Sequence, residues 1–311
     1  MPGKVVVLAG GVGAARFLEG LAAVIPAEDI TVIGNTGDDL EVHGLCVSPD
    51  LDTVTYTLAG VADPAQGWGI AGDTFECLDH LEKLGSETWF RLGDRDLATH
   101  VYRTSLLRGG LPLSDVTSRI GRSLGVRSRI LPMSDDPVRT WLETDQGCLD
   151  FQTYFVKRQS RDQVNGVEFI GAESAQPAPG VAGEILTARA VIVAPSNPII
   201  SIGPILAVAG IRDALRETKA SVAAISPIVA GRALKGPTAR MMEGLGMEAS
   251  AFAVAELYRD FVDFFVLDQQ NAILSGRVEA LGIKPVVTDT VMASAVVKKE
   301  LARATLRAIE S

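Results

Sequence analysis

The sequence predicts an α/β protein: a doubly wound, mostly parallel sheet with a smaller helix-plus-sheet subdomain inserted into it. Three observations carry this. Residues 5–13 read Val-Val-Val-Leu-Ala-Gly-Gly-Val-Gly, an apolar strand that runs into a glycine turn. Short apolar runs, most of them rich in Val and Ile, recur at 30–33, 191–194, 222–225, 264–267 and 285–287. Most are followed by turn residues, as strands covered on both faces are. Between them lie stretches whose apolar residues recur at helical spacing, the alternation that builds an open doubly wound sheet.

The first strand, 5–8, leads into a helix over 14–25 whose Phe17, Leu18, Leu21, Val24 and Ile25 fall on one stripe. Between them Gly10, Gly11 and Gly13 leave backbone N–H groups and the positive end of a helix dipole open to a phosphate. A side chain at any of the three would hold the anion away. No Gly-Lys-Ser/Thr follows, so neither the Walker nor the dinucleotide fingerprint is matched. A tight turn that needs glycine only for packing is the competing reading. Strand 30–33 ends in Gly34-Asn35-Thr36-Gly37-Asp38-Asp39. Two acids on a glycine turn suit Mg²⁺, which prefers carboxylate and phosphate oxygens, and the same residues suit an ordinary turn. In Ser48-Pro49-Asp50-Leu51-Asp52-Thr53 the two acids share a face if the segment is extended. At a helix start, one of them is an N-cap.

The middle of the chain differs. Residues 73–115 read as helical, with Phe75, Leu78, Leu81 and Leu84 on one face. Arg91-Leu92-Gly93-Asp94-Arg95-Asp96 precedes a helix over 98–107, and its arginines suit a phosphate or a polar ring edge. Residues 129–170 read as β, with strands at 140–143, 148–156 and 167–170, and 171–183 reads as a connector. The domain reading is a Rossmann-like nucleotide-binding core, 1–72 and 184–311, with 73–183 inserted. In the returning core, strand 191–194 leads to Pro195-Ser196-Asn197-Pro198 and Ser201, and strand 222–225 leads to 226–231. Ser and Asn side chains in such loops suit phosphates or a ribose. Helices follow at 211–217, 251–261 and 292–309.

Composition narrows the function. The chain has 311 residues, 29 basic and 38 acidic, for a net charge of −9. No lysine cluster offsets that charge, which argues against a nucleic-acid or anionic-membrane partner. The uncharged stretch 190–211 has the length of a membrane span, but three prolines interrupt it. Cys46, Cys77 and Cys148 form no Cys-x-x-Cys pair, which fits reduced thiols in the cytoplasm. Three histidines exclude a histidine-rich metal site. No nucleophile–base pair has recognisable spacing, so covalent catalysis has no support.

Taken together these motifs resemble the 2-phospho-L-lactate transferase family of coenzyme F-420 assembly, whose bacterial relatives are described as phosphoenolpyruvate transferases. The likeness is carried, in order, by Leu8-Ala9-Gly10-Gly11-Val12-Gly13, Gly37-Asp38-Asp39, Ser48 to Thr53 and Leu92-Gly93-Asp94-Arg95-Asp96-Leu97-Ala98-Thr99-His100. Leu131 to Asp136, Ala194 to Pro198, Ser201 to Pro204 and Ser226-Pro227-Ile228 complete it. The resemblance implies Mg²⁺-dependent transfer of a phospho-acyl unit from a GDP-linked three-carbon acid to the ribityl hydroxyl of the deazaflavin Fo, with release of GMP. It places Asp38 and Asp52 as catalytic residues and metal ligands. Asp52 and Arg91, with Asp94 and Asp96 beside them, fall on the Fo side, which the inserted subdomain helps to form. Gly10, Gly11, Gly13, Ser196, Asn197 and Ser201 fall on the GDP side. The family often forms homodimers. The gluconeogenesis-factor family shares the glycine opening and the fold, and the alternative it implies is a nucleotide-sugar-binding regulatory protein.

Overall fold

The first strand is apolar at every position, because both faces of it are covered. In the computed structural model β1 (Val5–Ala9) is wholly buried, with Val6 and Leu8 in one hydrophobic cluster and Val5, Val7 and Ala9 in another. This alternation assigns successive residues to opposite faces of a sheet. The structure describes residues 3–230, 232–233 and 236–310; Met1, Pro2, Gly231, Leu234, Lys235 and Ser311 lie outside them. Gly231, the last residue of the predicted 226–231 loop, is among these.

Seven parallel strands make the main sheet. In chain order they are β1, β2 (Ile30–Gly34), β5 (Arg129–Pro132), β9 (Ala190–Val193), β10 (Ser221–Ile225), β13 (Phe264–Asp268) and β14 (Lys284–Thr288). Their order across the sheet is β14-β13-β10-β9-β1-β2-β5, every pairing parallel. The chain builds outward on one side of β1 and then returns to build on the other. The reversal between β1 and β9 is a topological switch point, where open sheets of this kind place their ligands.

Small sheets complete the β structure: β3 (Leu40–Val42) with β4 (Leu45–Val47), β6 (Arg139–Thr144) between β7 (Gly147–Asp150) and β8 (Val164–Ile170), and β11 (Ile228–Val229) with β12 (Arg232–Ala233). The helices are α1 (Gly11–Ala22), α2 (Pro49–Leu58), α3 (Glu76–Lys83), α4 (Asp94–Arg108), α5 (Leu113–Ser123) and α6 (Val181–Thr187). After β9 come α7 (Gly203–Ala207), α8 (Ile211–Glu217), α9 (Thr238–Gly244), α10 (Ala251–Leu257), α11 (Ser275–Glu279) and α12 (Ala295–Glu310). Helices α1 and α12 cover one face of the sheet through Phe17, Leu18, Leu21, Leu301 and Leu306, while α6, α8 and α10 cover the other through Ile185, Ile211 and Val254.

Two expectations need correction. The predicted strand over 148–156 ends at Asp150, and residues 151–157 turn helical. Phe151 and Tyr154 bury together, and Phe151 stacks on Phe155 at 5.3 Å, a contact that i, i+4 helical spacing permits and that a strand, which would carry the two residues about 13 Å apart, does not. Strand β5 lies within the segment read as an insertion, yet it pairs with β2 in the main sheet. The β6–β7–β8 sheet does form its own small core around Leu142, Phe151, Tyr154 and Val164, and Ile200 and Met241 pack into it.

Candidate active site at the carboxyl ends of β1, β2 and β9

Parallel pairing brings the glycine turn, the acidic turn and the Ser196 loop to one edge, because each follows the carboxyl end of a neighbouring strand. The Gly10 N–H donates to Ser196 Oγ at 3.3 Å across the switch point. A Cβ on Gly10 would lie 2.7 Å from both Asp50 Oδ2 and Ser201 Cβ, so glycine is required where those side chains converge. Gly11 adopts φ +72°, a conformation that costs a side chain-bearing residue roughly 1–2 kcal/mol. A Cβ on Gly13 would strike the Pro195 carbonyl, so that glycine also serves close helix–loop packing.

The acceptor at the start of α1 is a carboxylate of the protein itself. Gly11 N–H donates to Asp50 Oδ1 at 2.8 Å, and Asn35 Nδ2 holds Asp50 Oδ2 at 2.9 Å. Asn35 Oδ1 in turn accepts from Gly37 N–H at 2.8 Å, fixing the acidic turn. Asp38, Asp39 and Asp50 are all buried. Burial and the Asp50 charge push the Asp38 carboxyl well above the usual carboxylate range. Burial likewise pushes Asp39 up to about 7 and Asp50 up to about 6. Thr36 Oγ1, Asp38 Oδ1, Asp39 Oδ1 and Thr140 Oγ1 are buried without a hydrogen-bond partner. A buried carboxylate oxygen left unpaired is costly in an empty site and useful in a filled one.

Asp50 and Asp52 both lie in the first turn of α2 and neither caps it: they point to different partners. Both oxygens of Asp52 receive the Arg103 guanidinium, Nη1 reaching Oδ2 at 3.0 Å. Ligation of a metal by Asp52 therefore competes with a buried ion pair. Asp96 accepts from Tyr56 Oη at 2.6 Å and lies 3.2 Å from His100 Nε2. Asp94 acts locally, its oxygens accepting the Thr74 hydroxyl and the Glu76 and Cys77 N–H groups at the start of α3. Asp73 does the same for α4, accepting from the Arg95 and Asp96 N–H groups at 2.8 and 3.1 Å. Arg91 is exposed and lies over the Phe75 ring, 4.2 Å from its centroid. Phe75 also lines a cleft of about 100 Å³ with Trp68, Ile70, Asp73, Gly93 and Asp96.

On the other side, Asn197 Oδ1 accepts from the Ile199 and Ile200 N–H groups, an Asx turn that shapes the loop. Ser196 and Ser201 are buried around Gly10. The predicted residues thus form two neighbouring groups, one around Gly10 and Asp50, the other around Asp52 and Asp96. Among the described residues, no three His, Cys, Asp or Glu side chains are gathered to hold a metal ion. Sequence reasoning gave no role to Arg103, Thr140 or Asn35. Arg103 follows Asp96 and His100 at i, i+7 and i+3 on one helix face, a spacing that was visible in the sequence. Thr140 reaches the acidic turn from β6, its N–H donating to the Gly37 carbonyl at 2.7 Å, and no local signal marks it.

The model of the 2-phospho-L-lactate transferase CofD family matches residues 5–307. The chain belongs to that family. It is 39% identical to a 2-phospho-L-lactate transferase of Methanosarcina mazei over 303 residues, 97% of this chain and 99% of that one. It is 45% identical to a phosphoenolpyruvate transferase of Streptomyces griseus over 287 residues, 90% of each. A solved structure of a UPF0052-family protein from Bacillus halodurans is similar in fold at TM-score 0.63 and 16% identity, covering 98% of this chain and 99% of that one. No helix among the described residues is long and apolar enough to cross a membrane.

Proposed function

We propose that the protein transfers a phospho-acyl unit from a GDP-linked three-carbon acid to the ribityl hydroxyl of Fo and releases GMP, in coenzyme F-420 biosynthesis. The transferase activities of its relatives support this reading, and one observation carries it. At the switch point, beside the glycine turn, three buried carboxylates crowd together and two of them, Asp38 and Asp39, keep an oxygen without a partner. Such a place would favour a cation, whose charge would offset that of the carboxylates and of a substrate phosphate.

The Mg²⁺ that the family implies fits that donor set. Mg²⁺ takes one or two carboxylates and fills its remaining positions with phosphate and water, so a three-carboxylate cage is not required. Asp38 would hold it, with the free oxygen of Asp39 beside it. When bound, it supplies positive charge at the transferring phosphate. The chain's own residues do the rest. Asn35 and the Gly11 N–H orient Asp50, and the Gly10–Gly13 turn with Ser196, Asn197 and Ser201 forms the wall for the GDP moiety. The Trp68–Phe75 cleft, with Arg91 behind Phe75 and Asp96 at its edge, suits a flat polar ring. In the transfer the ribityl oxygen bonds to the phosphorus that carries the acid, the P–O bond to GMP breaks with its electron pair staying on the GMP oxygen, and the hydroxyl proton passes to water. Alignment and charge stabilisation account for most of such a step.

Incubation with Fo, Mg²⁺ and each of the phospholactyl, enolpyruvyl and phosphoglyceryl GDP donors is expected to give a phosphodiester and GMP by mass spectrometry. Absence of product with all three from folded protein would overturn the reading in favour of a nucleotide-binding regulator. Asp38→Asn is expected to keep the fold and lower turnover by roughly 10²-fold or more. Near-normal turnover at saturating Mg²⁺ would reduce Asp38 to a turn residue. The three donors differ by small groups, a discrimination of about 1–3 kcal/mol in an apolar pocket. A homodimer in the cytoplasm is the assembly this reading carries, and sedimentation checks it.

A further inference from the structure

Helices α2 and α4 meet through a seam of polar groups. Asp52 and Tyr56 on α2 are spaced i, i+4; Asp96, His100 and Arg103 on α4 are spaced i, i+4, i+7, so each set lies on one face. All five are buried, Arg103 at 2% exposure and His100 at 1%. A charged seam of this kind is usually no more stable than well-packed apolar residues of the same volume. Helix pairing alone therefore does not explain it.

Its hub is Arg103. The fork takes both oxygens of Asp52, while Nη1 also lies 3.1 Å from His100 Nδ1 and 3.4 Å from the Cys46 carbonyl. Asp39, whose Oδ2 is held by the Ser48 hydroxyl at 2.8 Å, feels the charge of Arg139 first and of Arg103 less. Burial works against the charged guanidinium, but the Asp52 and Asp39 carboxylates outweigh it and keep it ionised. Asp96, at the other end of the seam, lines the aromatic cleft. Contacts thus run from the cleft through His100 and Arg103 to Asp52, whose helix starts beside the acidic turn.

We propose that Arg103 is a positioning residue for the transfer, fixing the Asp52 carboxylate on α2 and the His100 ring on α4 in one arrangement between the cleft and the acidic turn. This rests on the function proposed above. A lysine would supply the charge without the two-pronged geometry, which gives the inference a graded test.

Arg103→Met, Arg103→Lys and, as a control on the same helix, Arg108→Met are compared with wild type. Arg108 is exposed and donates only to the Gly44 carbonyl, at 2.8 Å. Melting, GDP affinity by calorimetry, Fo affinity by its fluorescence, and kcat and KM for Fo are measured. Arg103→Met is expected to fold and to bind GDP within about threefold of wild type, with kcat/KM for Fo lower by about 10²-fold. Arg103→Lys should recover part of kcat, and Arg108→Met should match wild type. Wild-type kcat/KM in Arg103→Met overturns the inference and leaves the function standing. Equal losses of GDP and Fo affinity that follow the melting temperature reduce Arg103 to a structural role. If Arg103→Met does not fold, wild-type kinetics in Arg103→Lys overturn it. Wild type that neither binds Fo nor turns over removes the proposed function, and this inference with it.

Discussion

Two buried carboxylate groups lie side by side in this molecule and are treated in opposite ways. Along the α2–α4 seam Asp52 is met by a guanidinium on both oxygens, and Asp96 is met by a tyrosine hydroxyl and an imidazole. Around the acidic turn Asp38, Asp39 and Asp50 share burial and like charge, and two of them keep an oxygen unpaired. No carboxylate oxygen of the seam is buried without a partner, although Arg103 Nε and His100 Nε2 are. In the acidic turn the unpaired atoms are carboxylate oxygens, Asp38 Oδ1 and Asp39 Oδ1, so there it is negative charge that lacks a partner.

The contrast gives opposite signs when charge is removed. Asp52→Asn leaves Arg103 buried without its anion and is expected to cost about 3 kcal/mol by chemical denaturation. That is the lower end for breaking a buried pair, because the Asn carbonyl still accepts one bond and Asp39 lies nearby. A loss below about 0.5 kcal/mol would mean that the seam is not compensated as described.

Asp39→Asn should instead stabilise the ligand-free protein at pH 8, by the order of 1 kcal/mol or more. The sign follows from the direction of the shift. Asp39 titrates at about 7 and Asp50 at about 6 in the fold, above the ordinary 3.8. The folded chain therefore holds protons that the unfolded chain releases. That contribution is complete below pH 3.8 and is lost as pH rises through about 6 and 7. Melting temperatures from pH 4.5 to 8 should fall more steeply in wild type than in Asp39→Asn, and saturating Mg²⁺ should flatten the wild-type curve. Parallel curves would show that the turn carries no uncompensated charge.

The smallest effect tests the edge of the seam. Asp94 is engaged in starting α3, so Asp94→Asn should leave Fo affinity within about threefold while slightly lowering the melting temperature. A tenfold loss of Fo affinity with unchanged melting would return Asp94 to the binding surface.

What the sequence revealed follows the same division. Five of the six predicted strands of the main sheet were legible because burial on both faces makes them largely apolar, and the edge strand β14 was legible from Pro285 to Val287 alone. The acidic turn was legible because glycine and aspartate stand at a strand's carboxyl end. Strand β5 escaped: only Ile130 and Leu131 are apolar between Arg129 and Pro132, too short a run to stand out. The pairing of Asp52 with Arg103 spans 51 residues, and no local pattern encodes a partner at that distance. Asp50 was visible as an acid and hidden as the occupant of the α1 N-terminus, since that role exists only once β1 and β2 lie side by side.

The place of β5 bears on how this chain could be shortened or recombined. A stretch that reads as a detachable module supplies an edge strand to the sheet it interrupts, with Thr31 to Gly34 matched against Arg129 to Pro132. Excising 73–183 would strip that strand away and leave the N–H and C=O groups on one side of β2, a mostly apolar strand buried in the whole chain, facing water as a template for self-association. A viable deletion keeps Arg129 to Pro132 and cuts on either side of it, so the inserted stretch can be replaced only around a strand that stays.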